Sequence, residues 1–228
     1  MSLSELADVG PFFALPTGQA PPADDAAAYL PPGPEALRQR IAVVTGRLGT
    51  REERVAASLA FQGLAGRLLS ITLGSLVLTG RAPDLAAGAL RWHPALGAPD
   101  DLWWAAPAAP PPAQDAAAVL HEVLLPLHAA TRSLTGVSAR LLWGNAGSAL
   151  AGALRVLHPW CLRQGRPADA DRAVALTRTL LADPLLHDTG TLHLPAGGPA
   201  FARTTCCLYY RVPGGGLCGD CVLQRRGG

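Results

Sequence analysis

Four of the five cysteines in this chain, Cys206, Cys207, Cys218 and Cys221, fall within 16 residues of one another, spaced C-C-x10-C-x2-C. Thiolates are soft donors, and four together can close a tetrahedral sulfur set of the kind that selects zinc or an iron–sulfur cluster. The C-x2-C half is common to both. The C-C half is more telling, because consecutive side chains of an extended strand point to opposite sides. Both can reach one small ion only if the backbone turns sharply, whereas two metal atoms bridged by sulfide accept such a pair more readily. Pro213-Gly214-Gly215-Gly216 between the pairs lets the backbone fold back closely. Spacing alone leaves a two-iron cluster, a zinc site, and a disulfide or metal-free segment all open.

The elements that must position these thiols are helical. Pro34 suits the first turn of a helix over 34–47, with Leu37, Ile41, Val44 and Leu48 on one face. Residues 51–79 predict a helix that is apolar nearly all round, hence central to a core, in one piece or broken near Gly63 or Gly74. A short helix at 24–30 and a short stretch at 83–92 flank this part. Helical pattern returns over 115–134, kinked at Pro126, then over 137–158 and 167–182, with Pro159 and Pro184 just beyond two ends. The last 40 residues read as loops and short strands. The fold class is therefore mainly α: an irregular segment (1–33), a helical domain (34–200) with two lobes divided near the Pro-rich 105–114, and a cysteine-rich segment (201–228).

Composition narrows the function classes. Apolar types make up 49% of the 228 residues and charged types 16%, enough to bury a core. A net charge of +2 disfavours a strongly basic nucleic-acid binder. All 19 basic residues are Arg, which reads as coding bias rather than chemistry. Between Val55 and Gly80, Arg67 leaves uncharged runs of only 12 and 13 residues, so a buried core helix is expected rather than a membrane span. The start MSLSELADVG lacks the features of a secretory signal, so a cytoplasmic setting with reduced thiols is expected. His121-Glu122 is followed by His128 at the wrong spacing for a zinc-protease helix, and Cys161 near Trp160 reads as a packed thiol. No dinucleotide fingerprint is present in the sequence: Gly214–Gly216 does not open a helix after a strand.

The segment RTTCCLYYRVPGGGLCGDCVL resembles the C-terminal signature of the FhuF-like ferric-siderophore reductases. The likeness extends more loosely to ASLAFQGLAGRL (57–68) and SARLLWGN (138–145), so it spans about residues 50–223. It implies a [2Fe–2S] cluster on Cys206, Cys207, Cys218 and Cys221, and one-electron reduction of siderophore-bound iron in the cytoplasm. An oxidised cluster on four thiolates carries a double negative charge, so positive neighbours and hydrogen bonds to sulfur raise its potential. Arg203 and Arg211 are candidates for that role or for facing substrate, with Arg225 and Arg226 more remote. The amides of residues 214–216 and 219 and the hydroxyls of Thr204 and Thr205 are candidate donors, and Tyr209 and Tyr210 candidate shields against water.

A substrate face is sought among Trp103, Trp104, Arg67, Arg140, Trp143 and Asn145, since aromatics can cover a chelate's organic shell and Arg or Asn can bind its oxygens. The partners expected are a ferric siderophore and an external electron donor, with no nucleic acid and no membrane span. Two rival readings stand beside this one: a zinc-stapled binding or scaffold protein without turnover, and a [2Fe–2S] carrier that serves a protein partner.

Overall fold

The computed structural model describes residues 3–17, 28–30, 32–83, 85, 90–104 and 115–226. Helix α1 (Pro34–Leu48) begins on Pro34 behind an extended Gly33 and ends where Gly49 turns left-handed at φ 58°. Helix α2 (Glu53–Thr79) is one unbroken rod that ends at Gly80, φ 76°. Its apolar circumference packs against α1 and against three later helices, α3 (Leu125–Thr135), α4 (Ala139–Arg163) and α5 (Pro167–Leu181). By length and composition α2 could cross a membrane, but 83% of its apolar window is buried within the protein.

The glycines of α2 do not break it. A Cβ on Gly74 would come within 2.8 Å of the Phe13 ring, and one on Gly66 within 3.2 Å of the Phe12 ring. These two glycines form a trough on the helix in which the N-terminal arm lies. The arm is fastened by Arg67, which is 1% exposed. Its Nε donates to Asp101 Oδ1 at 2.8 Å, Nη1 to the carbonyls of Pro11 and Phe12, and Nη2 to those of Ala14 and Pro99. All five donors are used, which is the condition under which a guanidinium can sit in a core. Burial still pulls its pKa down, opposed by Asp101.

Two expected boundaries move. Pro159 lies inside α4, which runs on to Arg163 because Leu154, Leu157 and Cys161 are fully buried along it. That packing outweighs the roughly 3 kcal/mol and the hydrogen bond that an interior proline removes. Pro126 sits in the first turn of α3, just after a π-helical turn (Val119–Leu124) in which the Leu125 N–H reaches back to Leu120 O.

Short strands complete the fold. β1 (Ala28–Tyr29), β2 (Leu90–Trp92) and β3 (Leu102–Trp104) form an antiparallel sheet in that order. Residues 28–29, expected as part of a helix at 24–30, are thus a strand, and the rest of that expectation falls mainly outside the described residues. So does the Pro-rich 105–114 stretch. β4 (Gly190–His193) pairs antiparallel with β5 (Ala200–Arg203), which delivers the chain to the cysteine segment.

Candidate metal centre

A sharp turn follows directly after the adjacent cysteines. Leu208, directly after Cys207, is the one non-glycine residue with positive φ among the described residues, at 69°. That conformation sends its N–H to Cys206 Sγ at 3.3 Å and starts the 3-10 turn Tyr209–Arg211. Gly215 closes the loop over that turn: a Cβ there would lie 2.5 Å from Tyr209 O and 2.9 Å from Val212 O. Its own N–H is spent on Val212 O, so it is not a donor to sulfur. Cys221 N–H donates to Cys218 O.

All four thiols are free. Cys207 and Cys221 both act electrostatically on Cys206, and Cys207 acts on Cys218. Burial, then the neighbouring Cys207, pushes the Cys218 thiol up to about 12, and burial also raises Cys206. Among the described residues no three His, Cys, Asp or Glu side chains are disposed to clasp a single metal ion. A binuclear cluster instead takes its thiolates in pairs on separate irons.

Arg203 supplies the strongest sign that a negative group belongs here. It is 1% exposed, and its field acts on both Cys206 and Cys218. Nη2 donates to Asn145 Oδ1, while Nε and Nη1 have no hydrogen-bond partner among the described residues. Thr205 Oγ1 is likewise buried without a partner. A buried guanidinium with two unpartnered nitrogens, carrying three N–H donors, is costly unless an anion meets it. A dianionic cluster on the four thiolates fits that demand.

A buried relay holds Arg203 in place. Asn145 Nδ2 donates to Ser58 O at 2.8 Å and to Ser58 Oγ at 2.9 Å, and Ser58 Oγ donates to Cys207 O at 2.7 Å. The relay joins α2, α4 and the cysteine segment, the three stretches that carry the family resemblance. Gly144 permits the close approach, since a Cβ there would meet Thr205 Oγ1 at 2.0 Å. Asn145 is therefore a support for Arg203 rather than a group facing substrate.

Several expected roles change. Arg67 has no free donor and lies in the core, so it does not contact substrate. Trp103 and Trp104 are buried in β3. Trp143 is half-buried and stacks on His128, centroids 4.6 Å apart, where burial lowers the His128 pKa. Arg140 is exposed in the first turn of α4 and faces no cavity that the cysteines line. Arg211 is paired with Glu52 at 2.7 Å on the surface and ties the cysteine loop to the start of α2. Tyr209 and Tyr210 are 38% and 44% exposed, and Tyr209 stands in a cavity wall with Cys207 and Cys218. Thr204 Oγ1 is spent on Asp188 O. Asp220 is neutralised by Arg155 and accepts from Ser148 Oγ. The side chains of Arg225 and Arg226 lie outside the described residues.

One feature escaped the sequence reading. A cavity of about 620 Å³ lies between α2, α4, the arm at 10–13 and the cysteine loop, and both Cys207 and Cys218 stand in its wall with Tyr209. The remaining lining is mainly apolar or glycine, with Gln62, Ser70, Ser148, Arg155 and Asp220 as the polar exceptions. The clue available in sequence was the recurrence of small residues at Gly63, Gly66, Ala149, Gly152 and Ala153, which is visible as a wall only once α2 and α4 are paired.

No curated protein matches the chain. Residues 203–223 match the family model described as the FhuF 2Fe-2S C-terminal domain, and Cys206, Cys207, Cys218 and Cys221 fit its motif. With four free thiols around a buried, half-satisfied arginine, the C-terminal segment of this chain is FhuF-like and its cofactor is a [2Fe–2S] cluster.

Proposed function

We propose that this protein is a cytoplasmic reductase that delivers one electron to siderophore-bound ferric iron and thereby releases Fe(II). The observation that carries the reading is the position of Cys207 and Cys218 in the wall of an open cavity. A small chelate can lie directly against these residues, with no second protein between.

Cys206, Cys207, Cys218 and Cys221 would hold the cluster, which when bound supplies a one-electron couple at this wall. The chain's own groups adjust that couple. Arg203 offsets negative charge from within the core, and the Leu208 amide donates to the Cys206 sulfur. The substrate side follows from hard–soft chemistry. Siderophore oxygens hold ferric iron because its charge density is high, so adding one electron weakens every Fe–O bond and the metal leaves as Fe(II). Tyr210 and Leu217, 44% and 48% exposed, lie on the same loop outside the cavity lining. They offer an external redox protein an approach that the substrate does not block.

The test is a single turnover. Protein reduced with dithionite, freed of excess reductant, is mixed anaerobically with a ferric trihydroxamate and a ferrous chelator. Formation of one Fe(II) per cluster, with return of the oxidised visible spectrum, is expected. A cluster that stays reduced while the chelator reports no Fe(II) overturns the reductase reading and favours a carrier.

A further inference from the structure

We infer that the cavity beside Cys207 and Cys218 is the chelate-binding site, that Phe12 and Gln62 recognise the organic shell, and that the N-terminal arm is one of its walls. The inference rests on the reductase reading and adds to it where the substrate sits and what holds it there.

The volume, about 620 Å³, is that of a small-molecule site, for which roughly 300–1,000 Å³ is usual. Sites of that kind combine apolar walls with a few fixed polar groups, and this one does the same. Gln62 lines it from α2 and has its Oε1 buried with no hydrogen-bond partner among the described residues. An acceptor stranded in an apolar wall is satisfied by a ligand that brings an N–H or O–H donor. Phe12 presents its ring from the arm, 43% exposed, and is backed by the bare surface of Gly66. It is held there at a distance by Arg67, which grips the carbonyls of Pro11, Phe12 and Ala14. The buried arginine is thus a positioning residue for the wall. The ligand class that fits is a ferric chelate with an apolar shell carrying N–H or O–H donors, seated against the two cysteines.

Gly63 provides the decisive variant. It lines the cavity, and a Cβ added there meets nothing within 4 Å. Gly63→Leu therefore enters the site from a position where its Cβ is unopposed, and leucine is the better helix former. The probe is a gallium(III) trihydroxamate whose shell bears amide N–H groups; gallium matches ferric charge but accepts no electron. Titrated into the cluster-loaded protein, it is expected to bind saturably. Gly63→Leu and Phe12→Ala are expected to weaken it at least tenfold and Gln62→Leu severalfold, with the visible spectrum of the cluster unchanged.

Absence of binding to the wild type, or equal binding to Gly63→Leu, overturns the inference. The two claims separate cleanly. If the ferric complex is reduced but Gly63→Leu changes neither binding nor KM, the reductase reading stands and the site falls. If the gallium complex binds in a Gly63-dependent way but the ferric complex is not reduced, the site stands and the reductase reading falls.

Discussion

Replacing Arg203 by Gln is expected to lower the midpoint potential of the cluster. Arg203 is 1% exposed, so its charge is poorly screened, and Nε and Nη1 are free to meet sulfur. Two unit charges about 7 Å apart interact by about 2 kcal/mol at an effective dielectric near 20, which sets the scale for a guanidinium that meets the sulfur ligands. Since about 1.4 kcal/mol corresponds to about 59 mV for one electron, the potential should fall by roughly 100 mV. Arg203→Lys keeps the charge but loses the fork and should fall by less. Asn145→Asp is the informative partner because it is isosteric. Its carboxylate would pair with Nη2, where the amide oxygen now accepts from Arg203, and draw the guanidinium's field inward, while giving up the Nδ2 donation to Ser58 O, so circular dichroism must show the fold kept. The assay is an anaerobic optical or EPR redox titration, with far-ultraviolet circular dichroism to confirm the helices. An intact cluster in Arg203→Gln or Asn145→Asp with a wild-type potential would refute the assignment of Arg203 as the group that stabilises the added electron.

Cys206→Ser and Cys207→Ser should each bleach or destabilise the cluster while leaving most helical content, checked by visible absorption beside circular dichroism; a normal spectrum in both would remove them as ligands. Arg67→Met should destabilise the protein by about 3–5 kcal/mol in urea unfolding, because it strands Asp101, 2% exposed, as an unpaired buried carboxylate. The metal-free protein should also lose stability as pH rises from about 9 towards 12. Over that range the Cys218 thiol ionises first in the unfolded chain, while burial and Cys207 hold it protonated in the fold. Below about 9 the thiol is protonated in both states and contributes no slope. Cys218→Ser should flatten that loss in melting temperatures measured across the range.

The cysteine centre was legible because it is local. Four cysteines within one short segment, with glycines between, narrow the chemistry by type and spacing whatever the rest of the chain does. The helices were legible for a similar reason, since apolar periodicity and the caps at Pro34, Gly49 and Gly80 act over a few residues. Pro159 marks the limit of such reading, because long-range burial of Leu157 and Cys161 overrode a strong local signal. The roles of polar residues were not legible. Arg67 and Arg203 are both arginines in apolar surroundings, yet one has all five donors occupied and the other leaves two of its three nitrogens without a partner. That difference depends on carbonyls, a carboxylate and an amide oxygen brought from more than 30 residues away. The cavity is likewise a property of α2 paired with α4 and covered by the arm. Residue types set what each group can bond to; only the tertiary arrangement decided which bonds were already taken, and so which groups were left to meet a cluster or a substrate.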